Sequence, residues 1–235
     1  MARQQRKAQL RARSGPRLVE DDKTWQQTKS ENTRTTILDA ALECFYELGY
    51  AGTSTEQVAR KAGVSRGKML HHFPSRFDLV RGAVAHLNRK RLALFEREEM
   101  RIQKNAKRTR VAEGIDSYWR QLNTKLFVVF HELQVAARVD AELRKILVPA
   151  IAESDERWQE MVERVFPDLS QSHNFILGNF LTMFLLEGMA VNALRRTGKW
   201  TDIVLEDLKD RLVNELYADI PGVDRTVKPR QRKKA

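Results

Sequence analysis

The stretch Thr53 to Arg76 constrains this chain more than any other. It reads TSTEQVARKAGVSRGKMLHHFPSR. Thr53 or Ser54 can cap a helix, since each has Glu56 or Gln57 three residues on, the spacing of a capping box. Val58 and Ala62 share a helical face, and the small Ala59 beside them lets a second helix cross closely. Gly63 stands where a left-handed residue ends a helix and turns the chain, with Val64 expected to plug the core under the turn. Ser65 starts the next helix, whose inner face carries Met69 and Phe73 four residues apart. Pro74 stops it, and Ser75 with Asp78 reads as the cap of a third helix. Two short helices, a tight turn and a third capped start make the layout of a helix-turn-helix.

The face of the second helix turned away from that core carries Arg66, Gly67, Lys68, Leu70, His71 and His72. A guanidinium can bridge two acceptors on a guanine edge, and an ammonium can reach a guanine or a phosphate. Ser65, Thr55, His72 and Arg76 supply a hydroxyl, an imidazole or a guanidinium, all donors suited to phosphate oxygens. Gly67 would let backbone approach a ligand closely. The bland alternative is a basic hairpin with solvated charges, but such a hairpin need not show caps, small residue and turn in this order.

The segment Thr33 to Ala83, which contains TILDAALECFYELGYAGTSTEQVARKAGVSRGKMLHHFPSRFDLV, resembles the DNA-binding domain of the tetracycline-repressor (TetR-like) family. The resemblance covers roughly a fifth of the chain. It implies a first helix in which Ile37, Ala41, Phe45 and Leu48 pack under the hairpin, closed by Gly49 and Tyr50. It also implies that Thr55, Ser65, Arg66, Lys68, His72 and Arg76 sit at DNA-contact positions. One departure is Leu70, where the family commonly has Tyr; leucine keeps only the apolar part of that contact.

The net charge of +11 is unevenly placed. Residues 1–30 hold eight Lys/Arg against three acids, and residues 221–235 hold six against one, so each end carries +5 and everything between them about +1. Both ends lack apolar periodicity and are expected to be disordered. Either could touch phosphate or simply keep the chain soluble. No signal peptide is evident at the N-terminus. The apolar run 175–194 is interrupted by Asn179, Glu187 and Asn192, so a soluble, cytoplasmic protein without a membrane span is expected. The single Cys44 excludes an internal disulfide and reads as a small core residue.

Beyond Phe77 the periodicity predicts helices near 76–105, 110–123, 125–138, 140–165, 171–197 and 202–219, with Pro149 kinking or splitting the fourth. The helix 171–197 is apolar on more than one side and must be covered on more than one side. With 202–219 it is read as a dimer interface, a four-helix bundle shared by two chains. Between 110 and 165 lies a mixture of aromatic surface and polar tips: Tyr118, Trp119, Phe127, Phe130, His131, Gln134, Trp158 and Met161. These residues, with Phe180, Met183 and Phe184 of the apolar helix, are candidates for a small-molecule pocket, though an ordinary core has the same make-up. The family resemblance implies an effector pocket in this region.

No Gly-rich phosphate loop, H-E-x-x-H, Cys pair or G-x-S-x-G is present, so no catalytic residues, metal ligands or cofactors are assigned. The expected architecture is all-α: a basic arm at 1–30, a three-helix DNA-binding domain at 31–91 with its helix-turn-helix near 54–73, a helical ligand-binding and dimerisation domain at 92–220, and a basic tail at 221–235. The expected function is that of a homodimeric repressor released from a palindromic operator by a small-molecule effector. The alternative is a non-specific architectural DNA-binding protein that uses its basic tails.

Overall fold

The computed structural model describes residues 17–105, 110–165, 167, 170–192 and 199–216, and it is helical with no strand among them. The order is α1 (Arg17–Gly52), α2 (Thr55–Lys61), α3 (Arg66–His72), α4 (Arg76–Asn105), α5 (Arg110–Leu122), α6 (Lys125–Ala137), α7 (Ala141–Val165), α8 (His173–Val191) and α9 (Lys199–Arg211), which runs into a π-type turn at Leu212–Leu216.

The head is built from α1 to α4. Ile37, Leu38, Ala41 and Phe45 of α1 pack with Val58, Ala59, Met69 and Phe73 and with Leu79, Val80, Ala83 and Val84 of α4. Leu48 departs from expectation: it is 47 % exposed, because the regular helix stops there and Gly49 kinks the chain with φ 73° and ψ 163°. Leu42 and Tyr50 are buried near it instead. At Gly82 the α1–α4 crossing is too close for a side chain, since a Cβ would stand 2.8 Å from the Phe73 ring and 3.1 Å from Leu38.

The head core continues without a break into Val129, Phe130 and Leu133 of α6 and Leu143, Ile146 and Leu147 of α7. A second core joins Ile115 and Leu122 of α5, Phe127 of α6, Val162 of α7, Phe175 and Leu186 of α8, and Leu205 and Leu212 of the last helix. Lys209, only 3 % exposed, pairs there with Asp116 and Glu206.

Three expectations change. Helix α1 reaches back to Arg17, so residues 17–30 are helical rather than a disordered arm. They lacked a core-facing stripe, yet a solvated helix needs none where Gly and Pro are absent, and Lys29 lies over the Trp25 ring on its surface. Pro149 neither splits nor ends α7. It stands on the exposed side of α7, which packs on α4. The helix expected at 202–219 begins at Lys199, and that expected at 171–197 is described only to Val191. Residues 1–16 and the tail 221–235 lie outside the described residues.

Candidate nucleic-acid interface and effector region

The two short helices are held by local chemistry. Ser54 caps α2: its Oγ accepts from the Gln57 N–H at 3.2 Å, while the Gln57 side chain accepts from the Ser54 N–H at 2.7 Å. At the other end Gly63 takes φ +65°, its N–H reaches the Arg60 carbonyl, and the Val64 N–H reaches back to Ala59 at 3.0 Å. These two bonds form a Schellman motif, and Val64 lies against the core beneath it. Ser65 caps α3 by accepting from the Lys68 N–H at 3.2 Å, and Ser75 accepts from the Asp78 N–H at 3.1 Å.

This scaffold fixes one face of α3 in solvent. Arg66, Gly67, Lys68, Leu70 and His71 are exposed, whereas Met69 is buried. A Cβ at Gly67 would meet nothing within 4 Å, so the helix backbone is open to approach there. Leu70, 43 % exposed, is an apolar spot amid the cations. His72 is half-buried with its ring 5.3 Å from that of His71; burial first, then the charges of His71, Lys68 and Arg34, hold its pKa below 6.5. Thr55 stands at the start of α2, where its hydroxyl donates to Glu56 at 3.3 Å.

Arg76 has a structural role besides the expected one. Its guanidinium donates to the carbonyls of Thr53 and Tyr50, the latter at 3.1 Å, and lies over the Tyr50 ring. It fastens the start of α4 to the α1–α2 corner, and the residue remains exposed. The same corner is gripped from the other domain. The Tyr50 N–H donates to Glu132 of α6 at 3.2 Å, and the Tyr50 hydroxyl donates to Asp140, between α6 and α7, at 3.2 Å. Bonding to the Leu143 N–H, with Tyr50 and Arg76 adding to it, keeps the Asp140 carboxyl below its usual range.

The expected effector residues divide into two groups. Phe127, Phe130 and Met161 are buried, Trp119 borders the second core, and His131 stacks on Phe127 with ring centroids 5.7 Å apart. Gln134 is half-buried, as is Met183. Phe180 and Phe184 do not belong with them: they are 49 % and 64 % exposed and stack on each other at 6.2 Å on the outer face of α8. The buried stripe of α8 is Phe175, Gly178, Thr182 and Leu186, which leaves the opposite side outside this chain's core. A groove of about 190 Å³ between α1, α4 and α6 is lined by Asp39, Leu42, Lys90, Lys125 and Val129 among others, and by none of the expected effector residues.

Residues 37–83 match the family described as bacterial regulatory proteins, tetR family. The head is TetR-like in sequence. It is 30 % identical over 122 residues to an uncharacterized HTH-type transcriptional regulator of Mycobacterium bovis, an alignment that spans 52 % of this chain and 62 % of that one. It is 40 % identical over 57 residues to the HTH-type transcriptional regulator SrpR of Pseudomonas putida, covering 24 % of this chain and 27 % of SrpR. Among solved structures, a transcriptional regulator from Rhodococcus sp. Rha1 superposes with a TM-score of 0.55 at 20 % identity, over 81 % of this chain and 97 % of that one. The multidrug binding protein EbrR complexed with ethidium gives 0.56 at 20 %, over 77 % and 98 %. The fold is therefore an N-terminal helix-turn-helix head followed by a helical domain.

Sequence reading missed the junction between the head and α6. Glu132 and Asp140 lie 82 and 90 residues from Tyr50 in sequence, and no local pattern links them. It also missed Arg91 and the bond from the Tyr118 hydroxyl to Glu187 at 2.8 Å. Arg91 was hidden in a run of Lys and Arg on α4, and only the fold shows that it alone of that run lies over the Phe130 ring at 3.5 Å.

Proposed function

We propose that the chain is a homodimeric, sequence-specific transcriptional regulator of the cytoplasm, a DNA-binding protein and not an enzyme. On this reading it acts as a repressor that leaves a palindromic operator when a small molecule binds. The observation that carries it is the outer face of α3, where Arg66, Lys68 and the bare backbone at Gly67 stand in solvent on a rigidly capped scaffold. That face fits a major groove, with Arg66 on a base edge and Ser65, Lys68 and His72 around phosphates.

One seven-residue helix reads few base pairs, so a second copy is needed. The outer face of α8, with Ile176, Leu177, Phe180, Leu181, Phe184 and Leu185, together with Trp200 and Ile203 of α9, supports a two-fold interface there. Helix α8 is also long and apolar enough to cross a membrane, but its buried stripe and the Tyr118–Glu187 bond seat it in the helical domain.

Release needs coupling between ligand and head. Helix α4 starts at the head and ends in the helical domain, so it is the lever. Glu132, one residue past His131, holds the Tyr50 corner. A ligand that binds better when α4 and α6 are displaced shifts the pair of α3 helices out of register with DNA.

The test is binding of the full chain to duplexes selected from a random pool. Arg66→Ala should cost roughly 1–3 kcal/mol and relax base preference at one position of each half-site. An equal loss on every sequence would assign Arg66 to phosphate alone.

A further inference from the structure

Tyr50 stands at the corner where α1 gives way to the helix-turn-helix, and three other elements hold it. Its N–H donates to Glu132 of α6 at 3.2 Å, and its hydroxyl donates to Asp140, just before α7, at 3.2 Å. Its carbonyl accepts from Arg76 of α4 at 3.1 Å. The ring is buried beside Phe45, with centroids 5.9 Å apart. The Thr53 carbonyl accepts from the same guanidinium, and the Thr53 hydroxyl donates to the Gly49 carbonyl at 2.8 Å. Ser54, the next residue, caps α2. The segment from which α2 and α3 hang is therefore bonded to α4, α6 and the start of α7 at once.

Both acids are placed by the fold. The second oxygen of Asp140 accepts from the Leu143 N–H at 2.9 Å, which ties it to the first turn of α7. Glu132 comes close because residue 49 is glycine: with φ +73°, a Cβ there would stand 3.1 Å from the Glu132 oxygen. Val129 and Leu133 of α6 and Leu143 and Ile146 of α7 also join the head core. Apolar contact is non-directional, so it resists separation more than rotation. Hydrogen bonds weaken steeply away from linear, so bonds to several elements fix an angle as well.

We propose that Tyr50, Glu132 and Asp140 are positioning residues that set how strictly the protein reads the spacing between two half-sites. This rests on the dimeric reading above and adds what orients its heads. In a two-fold pair, each α3 is aimed by its own helical domain through this corner. One base pair added between half-sites shifts one of them by about 3.4 Å and turns it by about 35°. Heads bonded to their domains do not follow that change. Heads held by apolar contact alone follow it part of the way.

The test uses the full chain and three duplexes: the selected palindrome, and the same palindrome with one base pair added to or removed from its centre. By anisotropy, the wild type should bind the altered spacings roughly tenfold or more weakly. Tyr50→Phe and Glu132→Ala should each shrink that penalty by roughly threefold or more. Glu132→Gln keeps an acceptor oxygen and should retain most of it. A loss of stability alone would weaken binding to all three duplexes by one factor and leave the ratio unchanged. An unchanged ratio in folded Tyr50→Phe, which lacks a single oxygen, overturns the proposal, as does a wild type that binds all three spacings alike. A palindrome with an unchanged ratio removes the positioning role and leaves the regulator standing. If no palindrome is enriched, the dimeric reading falls and this inference falls with it.

Discussion

At the scale of single residues, His72 carries the clearest consequence of its surroundings. Its folded pKa lies below 6.5, so the unfolded chain binds the proton more tightly. Stability should therefore fall as pH drops through about 6.5 and be unaffected by this group above it. A phosphate beside His72 would favour the imidazolium, so DNA binding should take up a proton and tighten between about pH 8 and pH 6. Anisotropy titrations at constant ionic strength check this, and His72→Gln should flatten part of the slope. Tyr50→Phe removes the bond to Asp140 and should cost about 0.5–1.5 kcal/mol in denaturant unfolding, with the Glu132 contact to its N–H kept. Cys44 stays inert in the core, its thiol pushed up first by burial. Residues whose role is set within four positions were legible in the sequence. Ser54 with Gln57, Gly63, Ser65, and Met69 with Phe73 all took their expected places. The bonds that Arg76 makes were not, because its acceptors at Tyr50 and Thr53 come from another helix corner, more than twenty residues away.

At the scale of elements, Gly82 marks a close crossing of α1 and α4. Gly82→Ala should destabilise by about 1–3 kcal/mol, since Phe73 and Leu38 sit inside the new methyl's contact distance. Thermal melting measures it. Periodicity placed α4 to α7 well because each has neighbours that demand a buried stripe. It did not separate the exposed face of α8 from the buried one, because both are apolar. Phe180 and Phe184 were thus counted with the pocket and belong to the exterior of this chain. The helical extension of α1 was hidden for the opposite reason, having no core to face. The α6–α1 junction shows the same limit, as hydrogen bonds between distant elements leave no period in a sequence.

At the scale of the molecule, the head core, α6 from Val129 to Ala137 and the first turns of α7 form one cluster, while α5, α8 and α9 gather around another. On the proposed reading, a ligand bound in the helical domain acts at the seam of the two. Phe180→Asp should turn a sedimenting dimer into monomers that remain folded, because the residue is exposed in the single chain. The same change should abolish tight operator binding while leaving weak binding to any duplex. Steep salt dependence is expected of both, and a shallower slope after deletion of residues 1–30 would place that basic segment on phosphate. The most direct measurement is selection and sequencing of duplexes bound by the full chain from a random pool. The expected result is an enriched palindrome whose half-sites are centred about one helical turn apart, or a multiple of it. A bound pool with no enriched sequence, or a single unrepeated half-site, would contradict it.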